Sequence, residues 1–208
     1  MNDEQYETLN DSNRLSKWRN IHSTVKFGKN VKVGIGCVVE ENVEIGDDAF
    51  IGHYVHVWPN VKIGKRTELR SYVHVEYNVV IGDDVRVYQY GSITAGAVLE
   101  NKIWYGPHVI STNADTILVH HPDGNNWVPR PPHIKSGAII ATRAVLAPGV
   151  VIGVNSIVGM ASLVRKSIPD NQVWYGHPAK YIREVPPELR VIRESGEERN
   201  ISEIYKEL

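Results

Sequence analysis

The sequence predicts an all-β solenoid: a parallel β-helix of about seven coils, with one long protruding loop and a short C-terminal helix. Three observations predict it. First, an apolar residue opens every hexad from residue 21 to residue 110: Ile21, Phe27, Val33, Val39, Ile45, Ile51, Val57, Ile63, Leu69, Val75, Ile81, Val87, Ile93, Leu99 and Tyr105. Second, the fifth position of each hexad is restricted as well, to residues such as Val25, Cys37, Ala49, Thr67, Gly91 and Ala97. Third, the pattern stops after Ile110 and resumes at Ile134, with further starts at Ile140, Leu146, Ile152, Val158 and Val164. With 42% apolar residues, chance fills every start with a probability on the order of 10⁻⁸.

A period of six is neither one helix face nor one plain strand. It fits a short strand plus a turn, repeated. Three such sides close a coil of about 18 residues, and the coils stack with a parallel sheet on each side. The two restricted positions point inward. Glycine recurs at the second position (Gly28, Gly34, Gly46, Gly52, Gly64, Gly82, Gly106), where it suits a backbone that leaves ordinary β dihedrals.

Three segments follow from this. Residues 1–20 lack the repeat and form an N-terminal cap or arm; an open solenoid end needs cover, because exposed strand edges invite pairing. Residues 21–183 form the β-helix, interrupted by a loop at 111–133. That loop reads STNADTILVHHPDGNNWVPRPPH, and its Pro, Gly, Asn and Asp content marks it as irregular. A loop this long inside a compact fold is functional or disordered, and Trp127 with paired histidines is not linker composition. Residues 184–208 form a charged tail in which Pro186 and Pro187 precede ELRVIRE, a helix with proline in its first turn.

Every third hexad shares a side. The hexads from Val33, Ile51, Leu69, Val87 and Tyr105 carry Gly36, Tyr54, Tyr72, Tyr90 and His108 at the fourth position, with His56 and His74 at the sixth. An outward ladder of aromatics and histidines is expected to be a subunit interface or a substrate cleft rather than a solvated face; a cross-strand ladder that only stiffens the sheet is the plainer alternative.

Composition narrows the function classes. The chain has 208 residues, a net charge of −1 from 23 basic and 24 acidic residues, and no basic block. Nucleic acid is not an expected partner. The single cysteine, Cys37, sits at an inward position and reads as a buried structural thiol. No apolar run is long enough to span a membrane, and residues 1–20 do not read as a signal peptide, so no membrane partner and a cytoplasmic location are expected.

The C-terminal third carries a family resemblance. Ala147-Pro148-Gly149-Val150 with Ile152-Gly153, the run from Val158 to Pro169, and Gly176-His177-Pro178-Ala179-Lys180 resemble the closing coils of the hexapeptide-repeat acetyltransferases, with His177 where the family has Asn. The resemblance covers roughly residues 21–183. It implies a left-handed β-helix, a hand that breaks the usual crossover rule, and acetyl-CoA as cosubstrate. Gly106-Pro107 followed by Ser111-Thr112-Asn113 is similar to the nucleotide-linked amino-sugar N-acetyltransferases, which act in cell-surface glycan biosynthesis. His121-Pro122 is similar to the sugar O-acetyltransferases. The expected function is acetyl transfer to the amine of a nucleotide-linked amino sugar, with sugar or small-molecule O-acetylation as the alternative. A zinc carbonic anhydrase-like site and a non-catalytic scaffold are more distant alternatives; no metal is expected, because no histidine triad has ligand spacing.

Acetyl transfer needs an unprotonated nucleophile, and histidine titrates near neutral pH. Loop residues His121 and His120 are the candidate bases, in that order. Asn113 is the candidate that orients the acceptor. The resemblance places the coenzyme along the edge Gly137, Ala138, Gly159 and Ala161, with Arg165, Lys166, Pro178, Lys180 and Arg183 at its phosphate end. A homotrimer with sites between subunits is the expected assembly.

Overall fold

A computed structural model of the chain describes residues 7–8, 20–115 and 128–192. The repeat winds as a solenoid of about eight coils with three parallel sheets of two-residue strands. The first sheet contains Lys32–Val33, Phe50–Ile51, Glu68–Leu69, Arg86–Val87 and Trp104–Tyr105. The second contains Val38–Val39, His56–Val57, His74–Val75, Ser92–Ile93 and Ile110–Ser111. The third contains Glu44–Ile45, Lys62–Ile63, Val80–Ile81 and Val98–Leu99. Each strand is the sixth residue of one hexad and the first of the next. The sixth points out, and the first is buried, as in Lys32 and Val33 or Glu68 and Leu69. The period of six is therefore a period-two strand joined to a four-residue corner.

The fourth position turns each corner. Away from the end hexads and the loop base, its residues hold φ between 54° and 75°, from Asn30 and Tyr54 to Asn155 and Ala161. Asn and Asp fill many of these sites, as left-handed backbone favours. The second-position glycines do something else, since none of them has a positive φ. They make room. A Cβ on Gly28 would stand 2.4 Å from Asp47 Oδ1, and one on Gly82 would stand 2.4 Å from Asn101 Oδ1. Those oxygens accept the N–H groups of Lys29 and Asp83. A short acceptor in one coil thus caps a corner amide in the coil before it, and the missing side chain lets it approach.

Inward side chains make one continuous core from Ile21 to Ile168. Tyr105 is fully buried and donates its hydroxyl hydrogen bond to the Ser92 carbonyl at 2.8 Å. Gly91, at an inward position, leaves space for that ring. Cys37 is buried, as the repeat predicts, with Sγ 2.9 Å from the Gly52 carbonyl. The repeat also runs one residue further than its apolar pattern shows: Ser111 takes an inward start and accepts the Thr94 N–H.

Coils step 18 residues until Val98 pairs with His133, a step of 35. The loop leaves and re-enters there without disturbing the ladder. The C-terminal end is closed by an antiparallel hairpin, Gln172–Gly176 with Ala179–Glu184. At the other end Glu7–Thr8 pairs antiparallel with Lys32–Val33. Instead of a helix over ELRVIRE, one 3-10 turn forms at Pro187–Leu189. Val191 is then buried, and Asn155 grips the Ile192 backbone at both N–H and carbonyl. That clamp holds the segment extended where the sequence suggests a helix. The remainder of the tail lies outside the described residues.

Candidate functional site

The three corners differ in their second-position residues. The corner between third and first sheets has Gly28, Gly46, Gly64 and Gly82. The corner between first and second sheets has Gly34, Gly52, Gly106 and Gly159. The corner between second and third sheets has none: it carries His22, Glu40, Trp58, Glu76, Thr94, Thr112, Ala147 and Arg165. Side chains larger than glycine line that whole corner, which makes it the candidate site.

Its C-terminal end is a cleft of about 490 Å³ lined by Arg165, Lys166, Trp174, Pro178, Ala179, Lys180 and Tyr181. The hairpin supplies one wall, entered through a cis His177–Pro178 bond. Three cations and two aromatic rings in one cleft suit an anionic ligand with a planar ring. Of the residues the sequence proposes for a coenzyme, the structure brings Arg165, Lys166, Pro178 and Lys180 together here. Arg183 is exposed further along the hairpin and donates to the Glu184 carbonyl. Gly159 and Ala161 border the neighbouring corner, where Gly159 packs under Tyr175. Gly137 lies at the third corner beneath Val191 and Ile192, and the Ala138 side chain is wholly inside the core.

Further along the same corner is the loop base. Asn113 donates from Nδ2 to the Ala95 carbonyl at 3.2 Å, and its own carbonyl accepts the Arg130 N–H at 2.8 Å. Arg130 also pairs with Asp115. These bonds tie the two ends of the loop to the coil. His120 and His121 lie outside the described residues.

Beyond the loop base comes a polar and aromatic cluster that sequence reasoning did not assemble. Glu76 Oε2 accepts from Thr94 Oγ1 at 3.2 Å and from the Ala95 N–H at 2.7 Å. Trp58 Nε1–H donates to His74 Nε2 at 2.8 Å, which leaves the neutral ring's proton on Nδ1. Burial lowers the His74 pKa from the ordinary 6.5, His56 lowers it further, and Glu76 opposes. His56 Nε2 lies 3.2 Å from Glu40 Oε1. The available sequence signal was the absence of glycine from this one corner. Among the described residues no three His, Cys, Asp or Glu side chains are grouped to hold a metal, and no helix is long and apolar enough to cross a membrane.

The outward tyrosines and the histidines do not share one side. Tyr54, Tyr72, Tyr90 and His108 stack at the corner between first and second sheets, with centroid spacings of 5.2, 5.0 and 4.8 Å. His56 and His74 lie on second-sheet strands. A two-residue strand begins at the sixth position, so the hexad's last residue belongs to the next face.

Comparisons with known proteins agree with the fold. The family model for the bacterial transferase hexapeptide (six repeats) matches residues 24–57 and 45–75. The chain is 36% identical over 104 residues to the putative colanic acid biosynthesis acetyltransferase WcaF of Escherichia coli, covering 48% of this chain and 52% of that one. It is 44% identical over 52 residues to the galactoside O-acetyltransferase of Escherichia coli, covering 25% of this chain and 26% of that one. Across these curated relatives the match spans from about a quarter to about half of their length. Among solved structures, an aspartate mutant of AntD, an N-acyltransferase from Bacillus cereus in complex with dTDP and coenzyme A, aligns with a TM-score of 0.53 at 19% identity. It covers 98% of this chain and 96% of that one. The six-residue repeat and the partial match together make the chain similar to the bacterial transferase hexapeptide family over residues 24–75.

Proposed function

We propose that the chain transfers an acetyl group from acetyl-CoA to the amine of a nucleotide-linked amino sugar. The observation that carries this reading is the cationic, aromatic cleft at the end of the glycine-free corner. Arg165, Lys166 and Lys180 suit the phosphates of the coenzyme, and Trp174 with Tyr181 offers rings for its adenine. The acetyl end would run along the corner toward Asn113. There the amine nitrogen attacks the thioester carbonyl, the C–N bond forms, the C–S bond breaks, and the coenzyme leaves as its thiol. The nitrogen must shed a proton, and His121, or failing it His120, is the group proposed to take it. Asn113 holds the loop base, so its role is to position what the loop carries. The relatives and the AntD complex support an acyl donor on coenzyme A and a sugar acceptor.

O-acetylation is the second reading, favoured by the galactoside O-acetyltransferase match. A thiol-release assay separates the two. Release with UDP- or dTDP-linked amino sugars and none with galactosides supports the proposal; the reverse overturns it in favour of O-transfer. A trimer belongs to the same proposal. The exposed column of Tyr54, Tyr72 and Tyr90 suits a three-fold interface, which would bring one subunit's loop to the next subunit's corner.

A further inference from the structure

Two aromatic groups stand on the outside of this solenoid, and they are built differently. In the column Tyr54, Tyr72, Tyr90 and His108 the ring planes lie within 12° of each other. Faces between neighbouring rings are covered, so the interior of the column offers edges and tyrosine hydroxyls. Trp58 and Tyr77 sit at 6.5 Å between centroids with planes at 52°. Rings at that angle cannot cover each other's faces; the column's tyrosines are at least as exposed as these, so the tilt of the planes is what separates the two groups. Trp58 is also held in place: His56 stacks against it at 5.3 Å and 29°, and His74 accepts its indole N–H. Beside the wedge stands Glu76. One of its oxygens is used by Thr94 and Ala95, and the other accepts no hydrogen bond among the described residues.

We propose that Trp58 and Tyr77 form a stacking subsite for the pyranose ring of the acceptor, with Glu76 facing the ring's polar substituents. A pyranose has an apolar face of C–H groups with slight positive charge, which suits the negative face of an aromatic ring. Its hydroxyl and ammonium groups suit a carboxylate. Fixed aromatic planes bind at little entropic cost. The placement also fits the reaction. Tyr77 lies two coils, about 10 Å, from Asn113 and four coils, about 19 Å, from Lys166. Donor cleft, loop base and sugar subsite then follow one another along a single corner.

This inference rests on the acetyl-transfer reading for its choice of sugar, so its test is kept apart from that reading. Saturation-transfer NMR is recorded on the full chain with methyl 2-amino-2-deoxyglucopyranoside, and separately with thymidine. The expected result is transfer to the sugar C–H protons in the wild type, a loss of fivefold or more in Trp58→Ala and Tyr77→Ala, and retention in Trp58→Phe, which keeps a ring face but not the N–H. No transfer to the glycoside, equal transfer in Trp58→Ala, or transfer to thymidine alone overturns the proposal. Acetyl-CoA thermal shifts on the same proteins report separately. A missing shift sinks the acetyl-transfer reading and leaves the sugar result standing; an intact shift in Trp58→Ala shows that the fold and the donor cleft survive.

Discussion

The corner between the first and second sheets and the corner between the second and third use the same repeat for opposite ends. In the first, four successive coils place an aromatic ring at the left-handed position, and the rings stack in register. A repeated residue satisfies its own copies, so the column is stable without any ligand. In the second, the second-position residue changes through four coils, from Glu40 to Trp58 to Glu76 to Thr94, before Thr112 repeats Thr94. Glu40, Trp58 and Glu76 do not match their neighbours above or below, so their side chains find other partners or stay open. In a solenoid, periodicity marks scaffold, and its local loss marks the place where something else is recognised.

The largest expected effect breaks this comparison at the periodic corner. Tyr72→Glu puts a charge between two rings 5.2 and 5.0 Å away. If the column is also the subunit interface, light scattering at assay concentration should show dissociation, and activity should fall by about 10³-fold or more. A variant that is still trimeric and fully active would confine the column to the role of a stiffener, as would a wild type active as a monomer.

A second experiment bears on the loop that departs from the aperiodic corner. His121→Ala should lower kcat by about 10² or more, and His120→Ala by less, if a histidine takes the amine proton. Small and equal losses in both would assign deprotonation to another group.

The third compares corners through glycine. Gly82→Ala forces a methyl group to within 2.4 Å of Asn101 Oδ1 and 2.8 Å of the Glu100 backbone. Overpacking of this kind costs about 1–3 kcal/mol. Glu40→Ala occupies the same hexad position at the glycine-free corner and should stay within about 0.5 kcal/mol of wild type. Denaturant midpoints decide it; equal losses would remove the distinction between the corners.

Much of the fold was legible in the sequence because its rule is local and repeated. Each apolar start marks an inward strand residue, and the break after Ile110 marks the loop. Tyr105 could be read as inward, but not its pairing with Gly91, since these lie in different hexads and meet only through stacking. The reason for the second-position glycines was misread for the same cause: their Cβ would meet Asp47 or Asn101 in the next coil, while their own φ is ordinary. The hairpin and the Asn155 clamp break the period and so left no signal in it. At the site, the motif led to the cations of the cleft. Trp58, His74 and Glu76 belong to no motif, and their proximity follows from the 18-residue coil.

The smallest expected effect sharpens the comparison by pH. His74 accepts the Trp58 N–H through Nε2 only while its ring is neutral. Burial and the neighbouring His56 both lower its pKa below the ordinary 6.5, against the pull of Glu76. A histidine with a depressed folded pKa binds fewer protons folded than unfolded. Its contribution to stability is therefore complete above about 6.5 and is lost as pH falls through the folded value. Glu40 and Glu76 face the cluster, Glu40 beside His56 and Glu76 beside Thr94. His74→Gln removes the titration while keeping an oxygen that can accept the indole N–H. The stability difference between wild type and this variant should thus shift against the wild type as pH drops from about 7.5 to 5. Trp58 also forms one wall of the sugar wedge, so glycoside binding by the wild type should weaken over the same range and that of the variant should not. Among the described residues the tyrosine column makes no ring contact with His74, and Tyr72→Phe should leave the wild-type pH profile unchanged. A stability difference that stays flat with pH, or that moves in favour of the wild type on acidification, would remove His74 as the support of Trp58.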